Sequence, residues 1–215
     1  MKAVVIDYGI GNVKSMCNAL LHSGIEAVLS SDKDDILSAD VCILPGVGAF
    51  AHGMNNLNNY KLVPVIEEFV ATGKIFIGVC LGMQMLLEES TEFGINKGIG
   101  LIKGKVIKLP VAENSLEKLP HVSWNTISEP MPGRWKNTLL SDIPAMNSFY
   151  FVHTYVAAPQ NNNDILANCN YGGVDFCAAI QHKNIYGFQF HPEKSGETGL
   201  SIFNTIKQKH INEVA

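Results

Sequence analysis

The sequence contains no long apolar run and no excess of positive charge. No stretch approaches the roughly 18 apolar residues that a membrane-spanning helix requires, so a membrane protein is not expected. The formal net charge of -4 provides no excess of positive charge for binding nucleic acid, so a nucleic-acid-binding protein is not expected. Residues 1–8 are typical of a strand and lack the cleavage pattern of a signal peptide. We therefore expect a globular, cytoplasmic protein.

The cysteines show no paired spacing. They are Cys17, Cys42, Cys80, Cys169 and Cys177, and no C-x-x-C occurs. An odd, unpaired set predicts neither a disulfide framework nor a zinc site. The dinucleotide-binding motif G-x-G-x-x-G is also absent. Gly9 and Gly11 match its first two glycines, but Lys14 occupies the position of the third. We expect no metal and no cofactor.

The first half of the chain alternates apolar strands with helices. Strands are predicted over 3–7, 26–29, 41–44 and 75–79, and helices over 13–22 and 61–71. A further short helix is predicted from a cap at Ser31 or Asp32 to residue 37. Strands that are apolar throughout and separated by helices indicate an α/β fold. We expect a mostly parallel central sheet flanked by helices on both faces.

The second half is predicted to be rich in β-structure. Strand-like segments cover 102–109, 148–156, 175–181 and 185–190, and a final helix covers 199–209. The proline-rich stretch 112–144 is predicted to be loops. No repeat or long linker divides the chain, so a single domain over residues 1–215 is expected.

One cysteine lies in a distinctive setting. The strand 75–79 runs into Gly78-x-Cys80-x-Gly82 and then directly into a helix, which is the thiol version of a nucleophile elbow. Glycines are needed because the tight turn leaves no room for side chains beside the nucleophile. The start of a helix favours a thiolate, and the N–H of Leu81 can donate to an oxyanion. The other cysteines are predicted to be core thiols.

A proton partner for this thiolate is available near the C-terminus. His191 follows an apolar strand, and Glu193 lies two residues later. An imidazole at a strand end can meet the sulfur, and a carboxylate can fix the tautomer of the imidazole. One His-x-Glu pair is a weak signal, but together with the elbow it predicts a catalytic triad.

These motifs carry a resemblance that spans nearly the whole chain. They are DYGIGN at 7–12, LPGVGAF at 44–50, GVCLGMQ at 78–84, PHVSWN at 120–125, YFVHTY at 150–155, AAIQ at 178–181 and QFHPEKS at 189–195. The set resembles the triad (class I) glutamine amidotransferases, and most closely the glutaminase subunits of imidazole glycerol phosphate synthase, an enzyme of histidine biosynthesis.

The resemblance implies hydrolysis of L-glutamine. Cys80 would be the nucleophile, His191 would transfer protons and Glu193 would hold His191 in place. The oxyanion hole would use the N–H groups of Leu81 and Val47, with the segment 45–48 as an extended strand whose Val47 peptide can flip. The residues expected to bind glutamine are Gly48, Gln84, His153, Thr154 and Tyr155. Taken without the family, Gln84 is simply a polar residue in the first turn of a helix.

The resemblance also implies a partner. A (β/α)8-barrel cyclase subunit would form a heterodimer with this chain and receive ammonia through its barrel. The docking face would include Asn12, Trp124, Asn125, Tyr150 and Lys194. Trp124 and Tyr150 could equally be core aromatics, and Lys194 an ordinary surface cation.

The sequence leaves the ammonia acceptor open. The family usually has glycine before the Trp-Asn pair, whereas this chain has Ser123. Paralogues of the subunit supply ammonia for amidation of bacterial surface sugars, which is one alternative. A thiol hydrolase or peptidase of related fold is a second, disfavoured by the joint presence of Gln84, the segment 45–48 and His191-Pro192-Glu193. A non-enzymatic binding module would not need a triad.

Overall fold

The computed structural model describes residues 1–111, 115–143 and 147–214. The strands are β1 (Lys2–Ile6), β2 (Glu26–Ser30), β3 (Val41–Leu44), β4 (Ile75–Val79), β5 (Leu87–Ser90), β6 (Asn96–Lys97), β7 (Ile102–Lys108), β8 (His121–Ser128), β9 (Ser148–His153), β10 (Tyr155–Pro159), β11 (Ile165–Tyr171), β12 (Val174–His182) and β13 (Ile185–Phe188). The α-helices are α1 (Val13–His22), α2 (Lys33–Ser38), α3 (Phe50–Asn59), α4 (Leu62–Ala71), α5 (Leu81–Met85) and α6 (Gly196–Val214). Short 3-10 turns cover Asn162–Asp164 and Pro192–Lys194.

The predicted parallel sheet is confirmed. Strands β2, β1, β3, β4 and β13 lie side by side in that order and are all parallel. The sheet continues through antiparallel strands β12, β10 and β7, while β11, β8 and β9 form a branch from β12. The fold is therefore α/β with a large mixed sheet.

Helices cover both faces of the parallel part, as predicted. Successive residues of β1 point to opposite sides, so Val5 packs with α1 and α6, whereas Val4 packs with α2, α3 and α4. Large apolar side chains such as Phe76 and Phe203 are fully buried in these two clusters. Each such side chain stabilises the fold by about 1.5–3 kcal/mol. The two cores therefore cover both faces of the central strands.

Three adjacent parallel strands end at one edge of the sheet. Leu44 at the end of β3 pairs with Gly78 of β4, and Phe188 at the end of β13 pairs with Val79 of β4. Carboxyl ends of neighbouring parallel strands form the usual ligand site of an α/β sheet. The segments that follow β3, β4 and β13 must therefore meet there.

Several predicted elements were wrong. The stretch 112–144 contains the strand β8, although residues 112–114 and 144 lie outside the described residues. The predicted strand 148–156 is broken at Thr154 into β9 and β10. The segment 45–48, predicted to be extended strand, is a loop after β3.

Helix lengths also differ from the predictions. The helix α5 that follows the elbow ends at Met85 after little more than one turn. Its dipole is therefore weaker than the dipole of a long helix. The final helix α6 is longer than predicted and begins at Gly196. Helix α3 was not predicted, because glycine and four asparagines dominate its sequence. None of the described helices combines the length and apolar character required to cross a membrane.

Candidate active site

The turn between β4 and α5 holds Cys80 in a strained conformation. Its φ is 55° and its ψ is -110°, a region that residues with side chains rarely occupy. A methyl group on Gly82 would overlap the carbonyl oxygen of Leu44, and one on Gly78 would lie 2.7 Å from the backbone of Gly82. The turn is therefore possible only with glycine at both positions, and it leaves Cys80 7% exposed.

His191 and Glu193 lie beside Cys80 at the end of β13. His191 Nδ1 is 2.8 Å from Glu193 Oε1, and both side chains are buried. Because the carboxylate can only accept, Nδ1 carries a proton and Nε2 is the basic nitrogen. Nε2 makes no well-aligned hydrogen bond within the described part of the chain.

The electrostatics of this group favour a charged imidazole. Burial is the largest single effect on the pKa of His191 and lowers it. Interactions with Cys80 and Glu193 together outweigh burial and raise the pKa to about 10. An imidazolium at neutral pH next to the Cys80 sulfur is the arrangement of an activated thiol nucleophile.

Two glutamine side chains approach the sulfur. Gln189, which is fully buried, places Nε2 3.7 Å from Cys80 Sγ. Its Oε1 accepts a hydrogen bond of 3.0 Å from Gln84 Nε2, which also donates to the carbonyl oxygen of Tyr155 at 2.9 Å. No role was predicted for Gln189, because a single glutamine at the end of an apolar strand does not by itself indicate a function.

The expected oxyanion donors are not both free. The Leu81 N–H donates to the carbonyl oxygen of Gly46 at 3.3 Å, so a carbonyl of the 45–48 loop occupies this donor. Val47, next in the loop, is 40% exposed. The buried Tyr8 hydroxyl donates to the Pro45 carbonyl at 2.7 Å and anchors the start of the loop.

A pocket of about 250 Å³ opens onto the nucleophile, a size suited to a small ligand. It is lined by Val47, Gly48, Cys80, Leu81, Gln84, Glu92, Val152, His153, Thr154 and Tyr155. All five residues predicted to bind glutamine are among them. Glu92 was missed, because it follows β5 in an acidic stretch that looks like ordinary surface. A larger cleft of about 910 Å³ beside Glu129 and Trp135 contains no cysteine or histidine.

The predicted docking residues separate into two groups. Trp124 and Tyr150 are opposite each other on β8 and β9 with ring centroids 6.0 Å apart, and Lys194 Nζ is 5.9 Å from the Tyr150 ring. Trp124 is 54% exposed, so it is not a core aromatic. Asn125 points to the other face of β8, towards His121. Asn12 precedes α1, which packs against the turn containing Lys194.

Two buried histidines lie behind this face. His121 and His153 are paired across β8 and β9. Burial lowers the pKa of His121 to about 4. Burial, followed by the repulsion of His121, lowers the pKa of His153 to about 3. Both rings are therefore neutral at physiological pH.

The neutral pair predicts a loss of stability in mild acid. Between pH 6.5 and 5, histidines of the unfolded chain take up protons that His121 and His153 in the folded chain do not, so the free energy of unfolding should fall by about 3 kcal/mol. His191 acts in the opposite sense, but most of its effect comes above pH 6.5. Urea unfolding at the two pH values measures the difference. The exposed His22→Asn variant should show the same fall, and equal stabilities at both pH values would contradict the prediction.

Comparison with known proteins identifies the family of the chain. The family model of glutamine amidotransferase class-I matches residues 4–207. The imidazole glycerol phosphate synthase subunit HisH 1 of Legionella pneumophila (strain Lens) is 44% identical over 207 residues, 95% of this chain and 97% of that protein. The HisH subunit of Aquifex aeolicus is 40% identical over 213 residues, with 97% of each chain covered.

Solved structures agree on the fold. The PurLQS structure from Thermotoga maritima matches with a TM-score of 0.70 at 19% identity, covering all of this chain and 99% of that one. A structure described as a glutamine amidotransferase matches with a TM-score of 0.69 at 17% identity, over 95% and 98% of the two chains. The family model and the close relatives cover nearly the whole sequence, so the chain belongs to the class I glutamine amidotransferases and is a homologue of the HisH subunits.

Proposed function

We propose that this chain is the glutaminase subunit of an imidazole glycerol phosphate synthase, hydrolysing L-glutamine to glutamate and ammonia for histidine biosynthesis. The observation that carries the proposal is the strained, buried Cys80 beside the His191–Glu193 pair at the base of a small pocket. The names of the relatives support the pathway.

The first half of the reaction forms a thioester. The Cys80 thiolate attacks the side-chain amide carbon of glutamine, and the carbonyl oxygen becomes an oxyanion. The His191 imidazolium donates its Nε2 proton to the amide nitrogen, which leaves as ammonia. Glu193 keeps the imidazole oriented through Nδ1 and stabilises its positive charge.

The second half releases glutamate. Neutral His191 removes a proton from water, and the hydroxide attacks the glutamyl thioester. When the tetrahedral intermediate collapses, the C–S bond breaks, glutamate leaves and the thiolate–imidazolium pair is restored. The cycle consumes only glutamine and water, so it needs no cofactor.

The oxyanion hole would be completed by a movement of the 45–48 loop. Rotation of the peptide between Gly46 and Val47 would withdraw the Gly46 carbonyl from Leu81 N–H and turn Val47 N–H inwards. One rotation would therefore provide both donors. The absence of side chains at Gly46 and Gly48 makes such a rotation feasible. Fixed donors aimed at the developing charge are typically the largest contribution to catalysis of this kind.

The remaining pocket would hold the amino-acid end of glutamine. The Glu92 carboxylate, which accepts from the Phe50 N–H at 2.6 Å, can receive the α-ammonium group. The backbone around Thr154 and Tyr155 would receive the rest of the head group. Gln84 fixes that backbone through its bond to the Tyr155 carbonyl.

The partner would be a (β/α)8-barrel cyclase that forms a heterodimer with this chain. The exposed face of Trp124, Tyr150 and Lys194 adjoins the triad, because His191 N–H donates to the Tyr150 carbonyl at 3.0 Å. A partner seated there would lie next to the ammonia as it forms. The Ser123 hydroxyl is directed to His121, away from Trp124, so it does not alter this face. The names of the relatives favour the histidine-pathway partner over a surface-sugar paralogue.

Covalent labelling tests the assignment of the nucleophile. A glutamine analogue with an electrophilic carbon in place of the amide should modify Cys80 once, and excess glutamine should protect it. Burial raises the pKa of the Cys42 and Cys169 thiols to about 12, and raises that of Cys177 as well, so these should stay unlabelled. Peptide mass spectrometry locates the label. Modification spread over several cysteines, or a lack of protection by glutamine, would count against the proposal.

A further inference from the structure

The two buried histidines behind the Trp124 face are joined by short hydrogen bonds. His121 Nδ1 lies 2.9 Å from His153 Nε2, and His153 Nδ1 lies 3.1 Å from the carbonyl oxygen of Tyr155. On its other side, His121 Nε2 is 2.8 Å from the Ser123 hydroxyl and 3.0 Å from Asn125 Nδ2. Neither ring belongs to the triad.

The chemistry of these groups allows only one arrangement of protons for two neutral rings. A carbonyl only accepts, so His153 Nδ1 carries the proton and Nε2 is the acceptor. His121 Nδ1 must then donate to His153, which leaves His121 Nε2 as an acceptor for Ser123 and Asn125. The bonds therefore run in one direction, from Ser123 and Asn125 through both rings to Tyr155.

Packing fixes the first ring. His121 stacks on Tyr171 with a centroid distance of 3.9 Å and on Phe151 at 5.0 Å. The donors Ser123 and Asn125 line a surface cleft of about 530 Å³. One end of the chain of bonds thus lies at the surface, and the ring that follows is held by aromatic neighbours.

The other end lies in the substrate pocket. The Tyr155 carbonyl accepts from both His153 Nδ1 and Gln84 Nε2, so both of its lone pairs are used. Gln84 in turn donates to Gln189, whose amide approaches Cys80 Sγ. The Tyr155 carbonyl is the junction between the histidine bonds and the bonds that reach the nucleophile.

We propose that His121 and His153 are positioning residues, forming with Ser123 and Asn125 a one-directional hydrogen-bond relay that fixes the Tyr155 carbonyl for glutamine binding. Only the expected effect on glutamine kinetics rests on the proposed glutaminase function; the hydrogen-bond relay itself does not. Removal of the His121 ring leaves the buried Nε2 acceptor of His153 unpaired, and the strand segment that faces the substrate then loses its fixed position.

The kinetic test uses the complex of the chain with its activating cyclase. His121→Phe keeps the aromatic stack and removes both nitrogens. Because His121 does not line the pocket, it can act on glutamine only through His153 and Tyr155. The KM for glutamine should rise about tenfold, which corresponds to about 1.4 kcal/mol, while kcat should change less than about threefold. An unchanged KM, or a fall in kcat alone, would overturn the inference.

The proton arrangement has its own readout, independent of activity. Imidazole ¹⁵N NMR of the chain at pH 7 should show both rings as neutral Nδ1–H tautomers. Ser123→Thr keeps a hydroxyl and should preserve the His121 signals, whereas Ser123→Ala should shift the His121 Nε2 resonance. A proton on Nε2 of either ring would refute the relay. Absence of glutamine hydrolysis by the wild-type complex would instead refute the proposed function.

Discussion

Replacement of Cys80 by alanine is expected to lower the kcat of glutamine hydrolysis by at least about 10⁴-fold, to the background of the assay. Without the sulfur no thioester can form, and His191 has no nucleophile to activate. The methylene of Cys80 remains as the alanine methyl group, so the strained turn and the pocket should persist. Release of ammonia and glutamate by the variant in the presence of the proposed cyclase partner measures the effect.

Cys17→Ala is the matched control for this variant. Cys17 lies on α1, half-buried, and takes no part in the pocket. Its replacement should leave kcat within about twofold of the original. Circular dichroism of both variants checks that they fold. Turnover by Cys80→Ala within tenfold of the wild type would show that another group attacks glutamine.

Glutaminase activity is expected to depend on the partner by a large factor. In the free chain, Leu81 N–H donates to the Gly46 carbonyl, so one donor of the proposed oxyanion hole is blocked. Loss of a single such donor costs about 10²–10³-fold in kcat. Addition of a saturating (β/α)8-barrel cyclase should therefore raise kcat at least about 10²-fold.

A substitution in the loop tests the origin of this activation. Val47→Pro has no N–H to offer after the peptide rotates, so stimulation by the cyclase should fall below about tenfold. Val47→Ala keeps the N–H and should be stimulated almost as strongly as the wild type. Binding of the cyclase is measured in parallel to exclude loss of the complex. Full stimulation of Val47→Pro would contradict the proposed rotation.

Local patterns in the sequence were sufficient to predict the parallel sheet and the turn that holds Cys80. Strands β3 and β4, and β1 after Lys2, are apolar throughout because both of their faces are buried, and this signal is visible without tertiary information. The pattern Gly78-x-Cys80-x-Gly82 is equally local, since steric exclusion around one turn dictates it.

Other features depend on contacts between distant residues. Strand β8 has one buried and one exposed face, so its polar and apolar residues alternate without a continuous apolar run, and the strand is defined only by its pairing with β9 and β11. Gln189 and Glu92 lie near the nucleophile only because β13 and the loop after β5 come together in the folded chain, so their places could not be predicted from local patterns. The hydrogen bond from Leu81 to Gly46 joins two backbone groups. No residue type in the sequence marks it, so it could not be predicted.

The Gly46 carbonyl has a consequence for the cell. It accepts from the Leu81 N–H, which the proposed reaction would use to bind the substrate oxygen, so a copy of this chain without the proposed cyclase partner would be inhibited by its own backbone. Surplus copies would then consume almost none of the glutamine pool, and free ammonia would not accumulate. Unequal synthesis of the two subunits should be tolerated, and their genes need no strict matching of expression.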